Sequence, residues 1–353
     1  MNQDTEPRIH VAISPWDLTD DYNRHAGVTL LSFLDHCPNC KVTAHILYDA
    51  KLSHGKEQKE EKNKACYQKI ADRYTCDIKY HPITPPNWIE EIPGVKKWTQ
   101  GMFLRLFLPD ILQSIDKIIY LDCDVIVSSD MREFWNTPLN DSYLAAVPDS
   151  GFVNLDKKRR RYYKQKNIPI DSYFCSGVLI LNIYKLQSLE KPFTETILSY
   201  LYENRDLPFP DQDMLNWFCQ GKYVQLPEKM NVFSSRVDAM NFVGDGIIHY
   251  AGTDTKPWVK YNGDIDDIYW RYLVETPWCD NKMDMVRYLR SPVEIEKTLS
   301  LFSKDFLSLL DGNKIKKAIV TTHLMLDICK SIAMSGMNII KKPLIAIGIV
   351  YKS

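Results

Sequence analysis

Two carboxylates, one residue apart, stand between two apolar segments near the middle of the chain. Asp122 and Asp124 flank Cys123, with Ile118–Leu121 before them and Val125–Val127 after them. Burying unpaired charge is costly, so such a pair is unfavourable inside a strand. At the open end of a buried strand, however, two carboxylates can hold a divalent cation. We therefore predict a metal site here, together with a phosphate-bearing ligand.

A second group of polar residues follows a later apolar segment. His249 lies near the end of residues 247–250, and Gly252 and Lys256 come after it. A lone histidine after a strand is more often a hydrogen-bonded core residue than a ligand. Together with the two aspartates, however, His249 can complete a metal site. Gly252 would let the backbone approach an anion, and Lys256 can pair with its charge.

Two more segments place polar groups at the start of a turn or a helix. Arg105 is the one cation of the amphipathic turn Gly101–Phe107, from which it can reach a phosphate. Asp211 and Gln212 stand at the start of a predicted helix that runs through Cys219. The joint occurrence of all four segments favours a functional site over isolated structural residues.

The segments that carry these residues alternate between strand and helix patterns. The predicted strands are 9–13, 42–48, 77–81, 143–147, 174–182, 224–226 and 247–250, and the predicted helices are 22–34, 56–74 and 210–219. Such alternation predicts an α/β sandwich with a mostly parallel central sheet flanked by helices. Ligands of these sheets lie at the carboxyl ends of strands, where the connections diverge, and Asp122 and Asp124 occupy such an end.

Bulk composition limits the class of protein. The 353 residues are 45% hydrophobic and 25% charged, which is enough to bury a substantial core. A net charge of -1 gives no reason to expect nucleic acid as a partner. The polar, acidic N-terminus has no pattern of a secretory signal, so we predict a cytoplasmic location.

The motifs and their order resemble glycosyltransferase family 8, the retaining, metal-dependent enzymes that include bacterial lipopolysaccharide galactosyl- and glucosyltransferases and glycogenin. The resemblance covers about three quarters of the chain, from Ile9 to Trp278. The matches are Tyr-Leu-Asp-x-Asp at 120–124, Phe-x-x-Gly-Val-Leu-x-x-Asn at 174–182, Asp-Gln-Asp-x-Leu-Asn at 211–216 and His-Tyr-x-Gly…Lys-Pro-Trp at 249–258. The resemblance implies the nucleotide-diphospho-sugar transferase fold called GT-A.

The resemblance also implies a role for individual residues. Asp122, Asp124 and His249 resemble the family's metal ligands, which would take Mn²⁺ or Mg²⁺. The implied donor residues are Ala12 and Tyr22 for uridine, Arg105 and Lys256 for the phosphates, Asp149 and Asp211 for the sugar hydroxyls, and Cys123 and Gly252 beside them. Gln212 resembles the catalytic group under the anomeric carbon, with Asp211 next to it. Cys175 and Ser176 replace the family's usual Asn-Ser or Asn-Ala pair near the sugar and are assigned to the acceptor side.

The implied activity is the transfer of glucose or galactose, with retention, from a UDP-sugar to a cell-surface glycan such as lipopolysaccharide core. The acceptor would attack from the face that the leaving group departs from. The first strand-loop carries an insertion, which leaves open whether Asp17, Asp20 or Asp21 faces the nucleotide. Two alternatives are an inactive sugar- or nucleotide-binding protein on the same fold and a phosphatase of the haloacid dehalogenase type. The position of the Asp-x-Asp motif, after about a hundred α/β residues, argues against the phosphatase.

Two basic regions stand apart from these motifs. The run 156–166 has the composition of a solvated loop, and its position also makes it a candidate contact for an anionic acceptor. Residues 313–353 contain seven Lys and one Asp among apolar residues at near-helical spacing. We predict a GT-A catalytic domain at 1–280 and a basic amphipathic helical region at 281–353. That region would hold the protein peripherally on the inner face of the cytoplasmic membrane.

The predicted membrane contact can be tested by truncation. Removing residues 313–353 should move the protein from the membrane fraction to the soluble fraction, because the basic amphipathic segment is lost. Fractionation of full-length and shortened protein, followed by immunoblotting, measures the shift. A shortened protein that stays with the membranes would contradict the prediction.

Overall fold

A computed structural model of the chain describes residues 8–16, 22–53, 55–95, 99–152, 155–236, 245–259 and 264–279. These described residues form ten strands in two sheets. In chain order the strands are β1 (Arg8–Ile13), β2 (Lys41–Asp49), β3 (Cys76–Ile83), β4 (Lys117–Leu121), β5 (Val125–Val127), β6 (Leu144–Pro148), β7 (Phe174–Asn182), β8 (Val224–Gln225), β9 (Val232–Phe233) and β10 (Ile247–His249). All the strands predicted above are present, with ends shifted by no more than about two residues.

The larger sheet has seven strands in the order β3-β2-β1-β4-β7-β6-β8. Neighbours from β3 to β4 are parallel, and β6 is parallel to β8. Strand β7 alone is antiparallel to both of its neighbours. The prediction of a mostly parallel central sheet is therefore confirmed.

Helices connect most of these strands. They are α1 (Tyr22–Asp35), α2 (Ala50–Ser53), α3 (Glu57–Ala71), α4 (Leu108–Ile111), α5 (Met131–Trp135), α6 (Lys157–Gln165), α7 (Ile183–Gln187), α8 (Phe193–Glu203), α9 (Pro210–Cys219) and α10 (Asp264–Glu275). Short 3₁₀ helices at 87–91, 100–107, 150–152, 228–231 and 234–236 complete the connections.

The central strands of the larger sheet, β1, β4, β7 and β6, are buried on both faces, as expected where strands are rich in apolar residues. Ile9, Val11 and Ile13 of β1 belong to one core cluster, and Ala12 belongs to the other. Successive strand residues point to opposite faces, so one strand supplies both cores. With its faces covered, the sheet presents polar groups at its strand ends.

The carboxyl ends of β1 and β4 lie side by side. Ile13 pairs with Leu121, the residue directly before Asp122. The chain leaves β1 towards β2 on one side, while β4 lies on the other, so the connections diverge at this point. This divergence forms the crevice in which open α/β sheets bind ligands.

The smaller sheet brings a distant part of the chain to the same place. Its order is β5-β10-β9, and His249 of β10 pairs with Val125 of β5. The N–H of Tyr250 donates to the carbonyl of Asp124 at 2.9 Å. These backbone bonds fix the end of β10 beside the two aspartates.

The basic run 156–166 is a helix and not the solvated loop expected from its composition. Asp156 caps helix α6 by accepting a hydrogen bond from the N–H of Arg159 at 2.9 Å. Within the helix, the side chain of Tyr163 is buried. The cap and one buried aromatic side chain therefore outweigh the mutual repulsion of the basic residues.

Among the described residues, the structure has no helix that is both long and apolar enough to cross a bilayer. Residues 1–278 form one compact unit, and residues 279–353 are grouped separately. The predicted tail 281–353 lies outside the described residues. Its helical character and its membrane contact remain predictions.

Three histidines on neighbouring strands form a hydrogen-bonded chain. His45 Nε2 lies 3.0 Å from His10 Nδ1, and His45 Nδ1 lies 2.9 Å from His81 Nε2. Burial, with Arg8 and Lys79 nearby, lowers the pKa of His10 to about 4. Burial and the other two histidines lower the pKa of His45 to about 3. Both rings are therefore neutral in the folded protein at neutral pH.

Acid should destabilise the fold through this chain. In the unfolded state His45 takes up a proton near pH 6.5, whereas in the folded state it stays neutral down to about pH 3. The free energy of unfolding therefore falls as the pH drops below about 6.5. We expect His45→Gln to reduce the loss of unfolding free energy between about pH 7 and pH 5 by about 2 kcal/mol, measured by urea denaturation. The control is His36→Gln, which removes a histidine that does not belong to this hydrogen-bonded trio. A His45 variant with an unchanged pH dependence of unfolding would contradict the expectation.

Candidate active site

A cleft of about 390 Å³ opens at the carboxyl ends of β1 and β4, a size that suits a nucleotide-sized ligand. Most of the predicted site residues line it. They are Tyr22, Arg105, Asp122, Cys123, Asp124, Asp149, Cys175, Ser176, Asp211, Gln212, His249, Gly252 and Lys256. They come from seven separate segments of the chain.

Ala12 is an exception among the predicted site residues, and its contact with uridine remains a prediction. It is completely buried within β1 and does not line the cleft. Strand β1 continues through Ile13, so the chain reaches the cleft two residues later, at Ser14 and Trp16. The three aspartates of the following loop, Asp17, Asp20 and Asp21, lie outside the described residues.

Asp122, Asp124 and His249 meet on the floor of the cleft. One ligand atom from each lies within 4.8 Å of the other two. His249 Nε2 is 3.4 Å from Asp124 Oδ1 and 3.8 Å from Asp122 Oδ2. The structure thus brings together the three residues whose spacing suggested a metal site.

Two observations fit a cation at this point. Asp124 Oδ1 is buried and has no hydrogen-bond partner among the described residues. A Cβ on Gly177 would stand 2.3 Å from His249 Cε1 and 2.8 Å from Asp122 Oδ2, so only glycine leaves room for the side chains as they are arranged. Two carboxylates and one imidazole are a donor set that suits Mn²⁺ and, less well, Mg²⁺.

Arg105 is buried under the carboxylates and does not project freely into the cleft. Its Nη2 donates to Asp122 Oδ1 at 2.7 Å, and its Nη1 donates to the carbonyl of Ser176 at 2.6 Å. Nη1 also lies 3.6 Å from Asp211 Oδ2, and the guanidinium stacks over the Tyr120 ring at 4.2 Å. Arg105 therefore holds two acids in place, and its predicted contact with the donor phosphates remains a prediction.

Lys256 neutralises the second aspartate. Its ammonium group contacts Asp124 Oδ2, which leaves Oδ1 to face His249. Burial lowers the pKa of Lys256 to about 8, although Asp122 and Cys123 act in the opposite direction. Gly252, four residues before Lys256, has a φ of +103°, a backbone conformation that residues other than glycine rarely adopt.

A hydrogen-bonded group on the opposite wall joins β7 to the start of helix α9. Ser176 Oγ donates to Asp211 Oδ2 at 2.8 Å, and Ser176 N donates to Gln212 Oε1 at 3.0 Å. Gln212 Nε2 donates to Asp149 Oδ2 at 3.1 Å. Burial, with Asp122 nearby, raises the pKa of Asp211, while Arg105 lowers it.

Tyr22, Cys123 and Cys175 line the cleft between these two groups. Tyr22 is half-buried, and its ring meets Trp258 edge-on at 6.5 Å between centroids. Cys175 Sγ lies 3.9 Å from His249 Nδ1. Cys123 is 7% exposed, so only a narrow part of its surface is open to a ligand.

Asn231 is a site residue that the sequence did not reveal. Its Oδ1 lies 2.9 Å from His249 Nδ1, and it ends the 3₁₀ helix 228–231. Because Asn231 Oδ1 can only accept, this contact favours a proton on Nδ1, and in the neutral ring that tautomer presents the Nε2 lone pair towards the aspartates. A single asparagine in a loop gives no signal in one sequence. Gly177, in contrast, stands inside a strand pattern, which is a recognised sign of close approach by another group.

Comparisons with known proteins agree with this architecture. The model of the family described as glycosyl transferase family 8 matches residues 15–262. In fold, the chain is similar to the crystal structure of galactosyltransferase LgtC in complex with donor and acceptor sugar analogues. The TM-score is 0.62 and the identity 21%, over 78% of this chain and 98% of that one. The fold is that of the GT-A glycosyltransferases, as predicted.

Sequence relatives point to the same class. A putative glycosyltransferase of Haemophilus influenzae is 27% identical over 210 residues, which are 60% of this chain and 60% of the relative. A lipopolysaccharide 1,2-glucosyltransferase of Escherichia coli is 26% identical over 279 residues, or 74% of this chain and 78% of the relative. The chain belongs to glycosyl transferase family 8. The predictions of the family and of a glycosyltransferase enzyme are confirmed.

The contact between Asn231 and His249 yields a test of the metal site. Asn231→Ala should weaken Mn²⁺ binding about 10- to 100-fold, because the imidazole loses the acceptor that fixes its tautomer and orientation. Asn231→Asp keeps an acceptor oxygen and should bind Mn²⁺ about as tightly as the unchanged protein. Titration of free Mn²⁺ by electron paramagnetic resonance measures both without a sugar donor.

Asn63→Ala is the matched control, since Asn63 accepts a hydrogen bond from Trp278 Nε1 and does not line the cleft. Equal Mn²⁺ affinity in the alanine variant of Asn231 and the control would refute a role of Asn231 in orienting His249.

Proposed function

We propose that the protein is a metal-dependent, retaining hexosyltransferase. It would move glucose or galactose from a UDP-sugar to a cell-surface glycan such as lipopolysaccharide core. One observation carries the proposal: the Asp122, Asp124 and His249 ligand atoms lie within 4.8 Å of one another, in the cleft that also holds Asp211 and Gln212. Relatives named lipopolysaccharide 1,2-glucosyltransferase and lipopolysaccharide 1,3-galactosyltransferase support the substrate class.

Asp122, Asp124 and His249 would hold the metal, for which the imidazole favours Mn²⁺ over Mg²⁺. When bound, the ion supplies a Lewis acid that offsets the charge developing on the departing diphosphate. Lys256 lies beside Asp124 and offers a second positive charge to the same phosphates. The open backbone at Gly252 lets an anion approach the main chain closely.

Tyr22 would hold the nucleotide end of the donor. Its ring lines the cleft at the start of α1 and offers a flat face to the uracil. Cys123 stands between the two aspartates, where it borders the path from uracil to diphosphate. Ser14 and Trp16 line the cleft just after β1 and would lie beside the uridine site to which the resemblance assigns Ala12.

Asp149, Asp211 and Gln212 would hold the hexose. Each of their polar groups is already oriented by another: Asp211 by Ser176 and Arg105, and Gln212 by Ser176 N and Asp149. Because these groups are already oriented, they need not rearrange when charge develops at the anomeric carbon. Cys175 and Ser176, on the same wall, would border the acceptor.

The arrangement supports retention by attack on the leaving-group face. The carboxylate of Asp211 is engaged by Ser176 and Arg105, and that of Asp149 by Gly151 N and Gln212, so neither is poised as a nucleophile. An amide is a weak nucleophile, so Gln212 would stabilise the oxocarbenium-like state. The oxygen of the donor's departing phosphate would accept the proton of the attacking hydroxyl.

An inactive sugar- or nucleotide-binding protein on the same fold is the second candidate. The two differ in turnover: a transferase releases UDP slowly even without acceptor, whereas a binding protein does not. A cytoplasmic, peripheral membrane location through residues 281–353 belongs to the proposal as well.

Incubation with a panel of UDP-hexoses and Mn²⁺ tests the proposal. We expect release of UDP from UDP-glucose or UDP-galactose, and loss of that release on addition of EDTA. Asp124→Asn should lower kcat at least about 1,000-fold, because metal stabilisation of the leaving group amounts to several kcal/mol. Asp77→Asn, the same substitution in an exposed ion pair with Arg8, is the control and should keep full activity.

Two results would refute this proposal. One is UDP release that EDTA leaves unchanged. The other is tight binding of a UDP-hexose with no release of UDP, which would identify the binding protein instead.

A further inference from the structure

Helix α6 carries four exposed cations that the chemistry of the cleft does not use. Lys157, Arg161 and Lys164 follow one another at helical spacings of four and three residues and so share one face, with Lys158 beside them. All four side chains are exposed. We call this set the α6 cationic face.

The basic residues of this segment fall into two groups. Three of them are paired: Arg159 with Asp156 at 3.5 Å, Arg160 with Asp171 at 3.6 Å and Lys166 with Asp206 at 2.7 Å. In the part of the chain that the structure describes, no side-chain hydrogen bond or ion pair is found for the four of the cationic face. Like charges three and four residues apart on a helix repel one another. The fold thus keeps a cluster that weakens its own helix, which points to a partner that supplies negative charge.

The opposite side of α6 is anchored next to the cleft. The Tyr163 ring lies 5.3 Å from Phe152 and 5.9 Å from Tyr173, and Tyr163 interacts with Asp213. Phe152 follows Asp149 by three residues, and Asp213 follows Gln212 directly. Helix α6 is therefore fixed to the two segments that carry the proposed hexose-binding residues.

Another cation, Arg236, lies between the cleft and this anchor. Its guanidinium stands 5.4 Å from the ring of Phe233, which lines the cleft. Its Nη2 lies 3.9 Å from the position of a Cβ on Gly151, in the same 3₁₀ turn as Phe152. Positive charge thus extends from the edge of the cleft to the turn that supports α6.

We propose that the α6 cationic face binds phosphate or carboxylate groups of the acceptor, so that the acceptor is an acidic glycan. The inference rests on the proposed function, because it assigns a substrate class to the acceptor side of the same cleft. Anionic groups one or a few sugar units from the attacked hydroxyl would contact α6 while that hydroxyl enters the cleft. Arginine and lysine side chains are well suited to such groups.

The structure favours a glycan over a membrane surface as the partner of this face. A helix that lies on a bilayer buries an apolar side in the lipid. On α6 the aromatic residues face the protein: Tyr163 is buried, and the hydroxyl of Tyr162 donates to Asp206 at 3.2 Å. The cationic face itself contains no apolar side chain to insert.

The test compares two variants with the same change in net charge. The first replaces Lys157, Lys158, Arg161 and Lys164 with Gln. The control replaces Lys41, Lys62, Lys69 and Lys79 with Gln, four exposed lysines on β2, α3 and β3, away from α6. The probes are a phosphorylated oligosaccharide released from lipopolysaccharide core and the same oligosaccharide after removal of its phosphates. Isothermal titration in the presence of UDP and Mn²⁺ gives the Kd.

The unchanged protein and the control should bind the phosphorylated oligosaccharide about tenfold more tightly than the α6 variant does, a modest ratio because exposed charge pairs contribute little each. All three should bind the dephosphorylated oligosaccharide equally, and the preference should shrink as salt is raised. Equal Kd values for the two oligosaccharides, equal Kd values for the α6 variant and the control, or no binding of either probe would each overturn the proposal.

Two further measurements distinguish this inference from membrane binding and from the proposed function. Sedimentation with vesicles of phosphatidylglycerol and phosphatidylcholine tests the membrane: loss of vesicle binding in the α6 variant, with unchanged oligosaccharide binding, would overturn the glycan assignment. Release of UDP from UDP-hexose without acceptor tests the proposed function separately. The α6 variant should keep that hydrolysis at the level of the unchanged protein, which also shows that it is folded. A loss of hydrolysis in the α6 variant alone would overturn the claim that this face acts on the acceptor only.

Discussion

Three carboxylates and two cations meet in the cleft, and each of their side chains is at most 25% exposed. Arg105 is 4% exposed and lies between Asp122 and Asp211, while Lys256 pairs with Asp124. Charges buried to this degree are tolerated only when they are paired, because removing one partner leaves the other uncompensated. The carboxylates outnumber the cations by one, so the floor still favours an additional positive charge next to His249. This excess of negative charge suits these residues to the metal cation that the proposed function requires.

The fold supplies that pairing from segments that are far apart in sequence. Strand β4 ends at Leu121, and the two aspartates follow it. The antiparallel pairing of β10 with β5 positions His249, and the 3₁₀ helix before α4 positions Arg105. On the opposite wall, Ser176 joins β7 to the first turn of α9 through two hydrogen bonds. Rigid strand ends hold the charged groups, and few of them can move without breaking a buried contact. A preorganised site of this kind stabilises developing charge without rearrangement.

Sequence reasoning succeeded where the signal is local and periodic. The apolar runs located the strands to within about two residues, and the acidic pair after β4 located the strand end that forms the cleft. It failed where a contact depends on partners far away in sequence. Asn231 acquires its role only from the position of His249, and helix α6 is stabilised by the burial of Tyr163 against Phe152 and Tyr173.

The sequence by itself determined the class of fold, the family and the candidate metal ligands, because strand and helix periodicity and short motifs depend only on residues close together in sequence. Tertiary structure decided how those ligands are held. It paired Arg105 with two acids, fixed the tautomer of His249 through Asn231 and required glycine at position 177. It also left four cations of α6 on one exposed face of a helix whose other side packs against Phe152 and Tyr173. Pairing and close approach between distant segments depend on three-dimensional distances, which periodicity along the chain does not encode.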